Sequence, residues 1–255
     1  MSELTALELQ GLVQEERFGD RIVEISEITV LEGYEAGLAV YKDGSGNISV
    51  SDVLFPDTDY IEAMRIYEEE IGDLAPRERL MRLLELMEDG EGPAVEMPEI
   101  SLGRLITNEN VQIRPDLAII AHSHPIDHLR QRDPRDYLRL SSGDVASYAE
   151  ALAFNPGLLA AITATHRSFA TSPRSHDNIA LRLSRPAAPN TMQNLQTVRS
   201  GQVMDDARMA ELGLRSATLT FSGRTGRVVS GLSSLPGLWE PQSGGSGRQP
   251  RKRSR

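Results

Sequence analysis

Ile119-Ile120-Ala121-His122-Ser123-His124-Pro125, followed by Ser141-Ser142-Gly143-Asp144, is the stretch on which the reading of this chain turns. A short apolar run delivers two of the five histidines two residues apart. In an extended strand residues i and i+2 point to the same face, so both imidazoles can reach one ion. A carboxylate a little further on, such as Asp144, is expected to be able to supply a third ligand. Two His and one carboxylate with a fourth position left to water is the donor set of a catalytic zinc site.

The rest of the chain bounds what surrounds that stretch. Its 255 residues suffice for one good-sized core. No apolar run is long enough to span a membrane, and Met1-Ser2-Glu3-Leu4 is not signal-like. There are no cysteines, so a metal would be held by His, Asp and Glu alone. A reducing, cytoplasmic setting is expected. The net charge is -10, but the stretch after Pro241 carries five of the 27 basic residues and none of the 37 acidic ones. The body is therefore more acidic still and unsuited to gripping nucleic acid. Residues 239–255, rich in Gly, Ser, Pro and Arg, read as a disordered basic tail, the one part suited to touching a polyanion.

Patterning predicts a helix within Ser2 to Arg17, strand-like runs at Arg21 to Leu31 and Glu35 to Tyr41, and a turn at Asp43-Gly44-Ser45-Gly46-Asn47. Ile48 to Phe55 completes a hairpin with Glu35 at its entrance. Tyr60 to Asp89 turns helical, with Leu80, Leu83, Leu84 and Met87 on one face, so residues 57–98 read as a helical insertion. Strands are expected at Ile100 to Ile106, Leu117 to Ala121, Leu158 to Thr165 and Ile179 to Leu183. Helices are expected at Asp144 to Phe154 and Asp205 to Leu212, and a last hairpin from Ala217 to Val229. This mixture predicts a single three-layer α/β domain over residues 1–238.

Taken together, Glu35-Ala36-Gly37-Leu38, His122-Ser123-His124-Pro125 and Ser141-Ser142-Gly143-Asp144 resemble the JAMM (MPN+, JAB) metalloprotease family, in its prokaryotic form. The resemblance rests on about a dozen residues between Glu35 and Asp144. It implies a cytidine-deaminase-like α/β domain binding Zn²⁺ through His122, His124 and Asp144. It implies Glu35 as general acid/base and Ser141 as donor to the developing oxyanion. The implied reaction is hydrolysis of a peptide or isopeptide bond, with a ubiquitin-like protein tail as the substrate class. Two departures stand out. Sixteen residues, Pro125 to Leu140, separate His124 from Ser141, more than the family's usual spacer, and Glu35 lies far ahead of His122. Loop closure cost grows slowly with length, so neither departure forbids the ligand geometry.

Plainer readings stand beside these. Histidines at i and i+2 also occur as polar residues at a strand end. Ser141-Ser142-Gly143-Asp144 is a sound helix start, with Ser141 as N-cap and Asp144 at the third helical position. A cap does not preclude a ligand. Glu24, Glu27 and Glu32 compete with Glu35, which is favoured by the small and apolar residues after it. His166 and His176 read as structural or exposed. His122-x-His124-x-x-Asp127-His128 approaches the signature of metallo-β-lactamase-fold hydrolases, but with one residue too many before Asp127. A catalytically silent JAMM-like scaffold is the remaining alternative.

Overall fold

The computed structural model describes residues 3–32, 35–54, 115–124, 138–165, 178–199, 202 and 204–240. The expected helical insertion, the strand at Ile100 to Ile106, the basic tail from residue 241, and Asp127, His128, His166 and His176 lie outside them.

The fold is mixed α/β, built on one curled sheet of seven strands in the order β2-β1-β3-β4-β5-β6-β7. These are β1 (Gly37–Lys42), β2 (Ile48–Val50), β3 (Leu117–Ser123), β4 (Leu159–Thr165), β5 (Ile179–Pro186), β6 (Leu214–Phe221) and β7 (Val228–Ser230). β3 and β4 run parallel, and every other neighbouring pair is antiparallel. A parallel pair needs a crossover, and the stretch between β3 and β4 contains helix α3 (Ser142–Phe154).

An apolar core lies on each face of the sheet. On one, Leu9 and Leu12 of α1 (Ala6–Leu12), Phe18, Ile22 and Ile25 of α2 (Glu16–Glu32), and Leu235 and Leu238 of a 3-10 segment pack against Leu38, Ile119 and Leu181. On the other, Val145, Tyr148, Ala149 and Leu152 of α3 join Ile120 and Ile162. Leu195 of α4 (Thr191–Leu195) and Met209 of α5 (Asp206–Glu211) complete that side. The spacing of the α3 residues, i, i+3, i+4 and i+7, is that of one helical face.

The first hairpin forms as expected, pairing Val40 with Val50 and Lys42 with Ile48. Gly46, at a φ of 87°, takes the left-handed turn conformation that other residues adopt reluctantly. The strand expected at Arg21 to Leu31 is instead the body of helix α2. Its β-branched residues suggest a strand, yet the buried residues fall at Phe18, Ile22, Ile25 and Thr29, a helical spacing. Burial of that stripe against the sheet overrides local preference. The short helix α4 and the 3-10 segment Leu232–Leu238 were not expected from the pattern.

α2 is seated closely on the β6–β7 turn. A methyl group at Gly19 would lie 2.0 Å from the carbonyl oxygen of Gly226. Gly19→Ala is therefore expected to destabilise the protein by at least about 1–3 kcal/mol, the usual cost of overpacking. Urea unfolding should show this loss beside a near-neutral Gly44→Ala control, where no atom lies within 4 Å.

Candidate metal centre

The pocket is assembled from three places in the chain. β3 delivers His122 and His124 at its C-terminal end, the segment entering β1 delivers Glu35, and the first turn of α3 delivers Asp144. The antiparallel register explains the first meeting. Gly37 is opposite His122, and Ser123 N–H donates to Ala36 O at 2.9 Å. Continued by one step, that register sets Glu35 across from His124, on the same face of the sheet. Glu35 Oε1 lies 3.9 Å from His124 Nε2.

Helix α3 supplies the second carboxylate through its N-terminal cap. Ser141 Oγ accepts from Asp144 N–H at 3.1 Å, and Asp144 Oδ2 accepts from Ser141 N–H at 2.7 Å. This reciprocal box fixes the Asp144 side chain at the helix start. From there Asp144 Oδ1 lies 3.4 Å from His122 Nε2, and Oδ2 lies 3.4 Å from His124 Nε2. The two imidazole Nε2 atoms are 2.8 Å apart, within hydrogen-bond distance, with their rings at 65°.

All five sequence-derived site residues thus meet in one region, and the ligand atoms of Glu35, His122 and His124 lie within 4.8 Å of one another. Glu24 and Glu27, the rivals of Glu35, belong to α2, where they line a surface groove with Asp20 and Arg224. Glu32 also falls in α2.

Solvent access divides the cluster. The side chains of His122 and Asp144 are 0% and 2% exposed, whereas those of His124 and Glu35 are 13% and 11% exposed. His122 and Asp144 are the enclosed members of the cluster, and Glu35 and His124 the more exposed ones.

Burial, the largest influence on His122, lowers its pKa below the ordinary 6.5, while the Asp144 carboxylate pulls it the other way. For Asp144, burial pushes the carboxyl up. The electrostatic pull and hydrogen bonding of the His122 ring, and then of the His124 ring, outweigh that and hold it well below its ordinary range. An ionised carboxylate beside an imidazole that favours its neutral form is the protonation state a cation requires of its ligands.

The donor set fits a divalent metal. Two imidazoles with carboxylates beside them are the donor types a tetrahedral zinc ion takes, with Asp144 Oδ1 and Oδ2 each 3.4 Å from one Nε2 atom. The two Nε2 atoms are 2.8 Å apart, so an ion held by both would replace their direct contact. His122 Nδ1 is buried and has no hydrogen-bond partner among the described residues, whereas a metal-binding histidine commonly donates from its second nitrogen.

Two further residues belong to this region and were not singled out in the sequence, Ser123 and Thr29. Ser123 was legible by alternation as the residue facing away from the imidazoles. Thr29 was hidden by reading α2 as a strand.

No family model, curated protein or solved structure matches this chain. Among the described residues no helix is long and apolar enough to cross a membrane.

The His122 shift sets a pH dependence for the metal-free protein. An imidazole with a depressed folded value binds protons more readily in the unfolded chain. Its contribution to stability is therefore present above about 6.5 and lost as pH falls below that value. Urea unfolding at about pH 5 and about pH 7 should find the metal-free protein weaker at the lower pH. His122→Gln should flatten that difference.

Proposed function

We propose that this protein is a zinc-dependent hydrolase of the JAMM type that cleaves peptide or isopeptide bonds. The observation that carries this reading is the convergence of His122, His124 and Asp144, with Glu35 facing His124 from the open side. The sequence resemblance supplies the substrate class, a protein or peptide with a ubiquitin-like tail.

His122, His124 and Asp144 would hold the ion, because Asp144 is equidistant from both imidazoles and is locked in place by its helix cap. Bound there, zinc supplies a Lewis acid that polarises a carbonyl and acidifies water near neutral pH. Glu35 stands slightly farther off and closer to solvent. From that side it would accept a proton from the attacking water and return it to the departing amine. Ser141 uses an oxygen lone pair in its cap, so its hydroxyl proton remains available for donation to a developing oxyanion.

Elemental analysis of purified protein should find about one zinc per chain, as expected for a single three-ligand site. Both His124→Ala and Asp144→Ala should lose it. Glu35→Gln should still take up zinc when the metal is supplied in excess, though more weakly, while lowering cleavage of a ubiquitin-like tail fusion by about 10²–10⁴-fold, the usual contribution of a general base. A folded wild type that takes up no zinc when it is supplied would sink the enzyme reading and leave the silent scaffold.

A further inference from the structure

The face of β3 opposite the imidazoles carries a hydroxyl where apolar side chains prevail. Ser123 is 1% exposed, and Ile119 and Ala121 on its side of the strand belong to the apolar core beneath α2. A hydroxyl so placed costs free energy unless its hydrogen bonds are made.

They are made to particular partners. Ser123 Oγ accepts from the N–H of Ala36 at 3.0 Å, lies 3.0 Å from the Ala36 carbonyl oxygen to which it can donate, and hydrogen-bonds Thr29 Oγ1 of α2. Thr29, also buried, is in reach of the carbonyl of Ile25 at 3.0 Å. In an antiparallel hydrogen-bonded pair the two residues exchange both backbone bonds. Here one exchange is made, Ser123 N–H to Ala36 O, and the Ala36 N–H goes to the serine hydroxyl.

That N–H belongs to the peptide bond joining Glu35 to Ala36. Fixing the plane of this peptide fixes where the Glu35 Cα sits and the axis of its Cα–C bond, the point from which the Glu35 side chain leaves the backbone. Regular β1–β3 pairing begins at Gly37, opposite His122. The hydroxyl therefore acts one residue ahead of regular pairing, at the point where Glu35 needs a fixed orientation.

We propose that Ser123 is a positioning residue, which holds the Glu35–Ala36 peptide so that the Glu35 carboxylate faces His124, with Thr29 as its brace from α2. This rests on the metal-site reading above. Outer-shell groups of this kind set metal affinity as well as turnover, so the role is measurable without a substrate.

The test is a double-mutant cycle read by zinc affinity, with each variant's folding first checked by thermal denaturation and Kd then measured by chelator competition. Ser123→Ala and Glu35→Gln are each expected to weaken zinc binding about tenfold or more. Adding Ser123→Ala to Glu35→Gln is expected to cost less than about twofold further, because its effect passes through the carboxylate already removed. Thr29→Ala leaves the Ala36 bond to Ser123 in place and is expected to lower Tm with Kd within about twofold of wild type. Ser123→Thr retains the hydroxyl and should bind zinc as wild type does.

An unchanged Kd in Ser123→Ala would overturn the role. So would an equal loss in both backgrounds, which marks Ser123 as merely structural. If Ser123→Ala does not fold, a folded Ser123→Thr with zinc affinity as weak as Glu35→Gln would overturn it too. Wild-type protein that binds no zinc fails at the earlier step and rejects the metal reading itself.

Discussion

The alternation of side chains along β3 is the constraint from which the rest of the site follows. Every residue of this strand is buried, because helices cover the sheet on both sides there. A strand in that position cannot carry polar groups casually. Its last residues nonetheless place His122 on the α3 face and Ser123 on the α2 face, and His124 follows on the α3 face. Each is matched by a polar partner on its own side: Asp144 for the imidazoles, Thr29 and the Ala36 amide for the serine. A register slip of one residue would exchange the two sets and leave both unmatched. The position of β3 between β1 and β4 is thus coupled to the chemistry at its end.

Much of this was legible because the pattern and the geometry share a period. Two histidines at i and i+2 after an apolar run specify a strand end with both rings on one side, and Ser141 to Asp144 specify a helix start. The first hairpin announced itself through Asp43 to Asn47, where Asp43 accepts from the amides of Ser45 and Asn47. Less legible was α2. Ile22, Val23, Ile25 and Ile28 favour a strand locally, and only the sheet they pack against selects the helical stripe. That misreading concealed Thr29. The choice of Glu35 over its rivals rested on the residues after it, whereas the structure supplies a stronger reason in the β1–β3 register. No local pattern announces a pairing between segments more than eighty residues apart, since it is made by the folded sheet.

The capping box at α3 resolves an apparent competition between structure and chemistry. Read alone, Ser141 to Asp144 is a sufficient helix cap, and the structure contains that cap in full. An ordinary capping carboxylate faces water, where its remaining lone pairs are solvated. Asp144 is buried, and its oxygens face two imidazoles instead. Burial raises the cost of its charge, yet the partners around it keep the carboxyl ionised. Burial meanwhile biases His122 towards its neutral form. The enclosed side of the cluster therefore sets an ionised carboxylate beside the imidazoles, with the amide of Ser141 and the positive end of α3 behind it. A cation seated between the Nε2 atoms and the carboxylate would suit that arrangement, because neutral imidazole and ionised carboxylate are the forms that bind metal. The cap that fixes the Asp144 rotamer is thus also what turns its oxygens towards the two imidazoles.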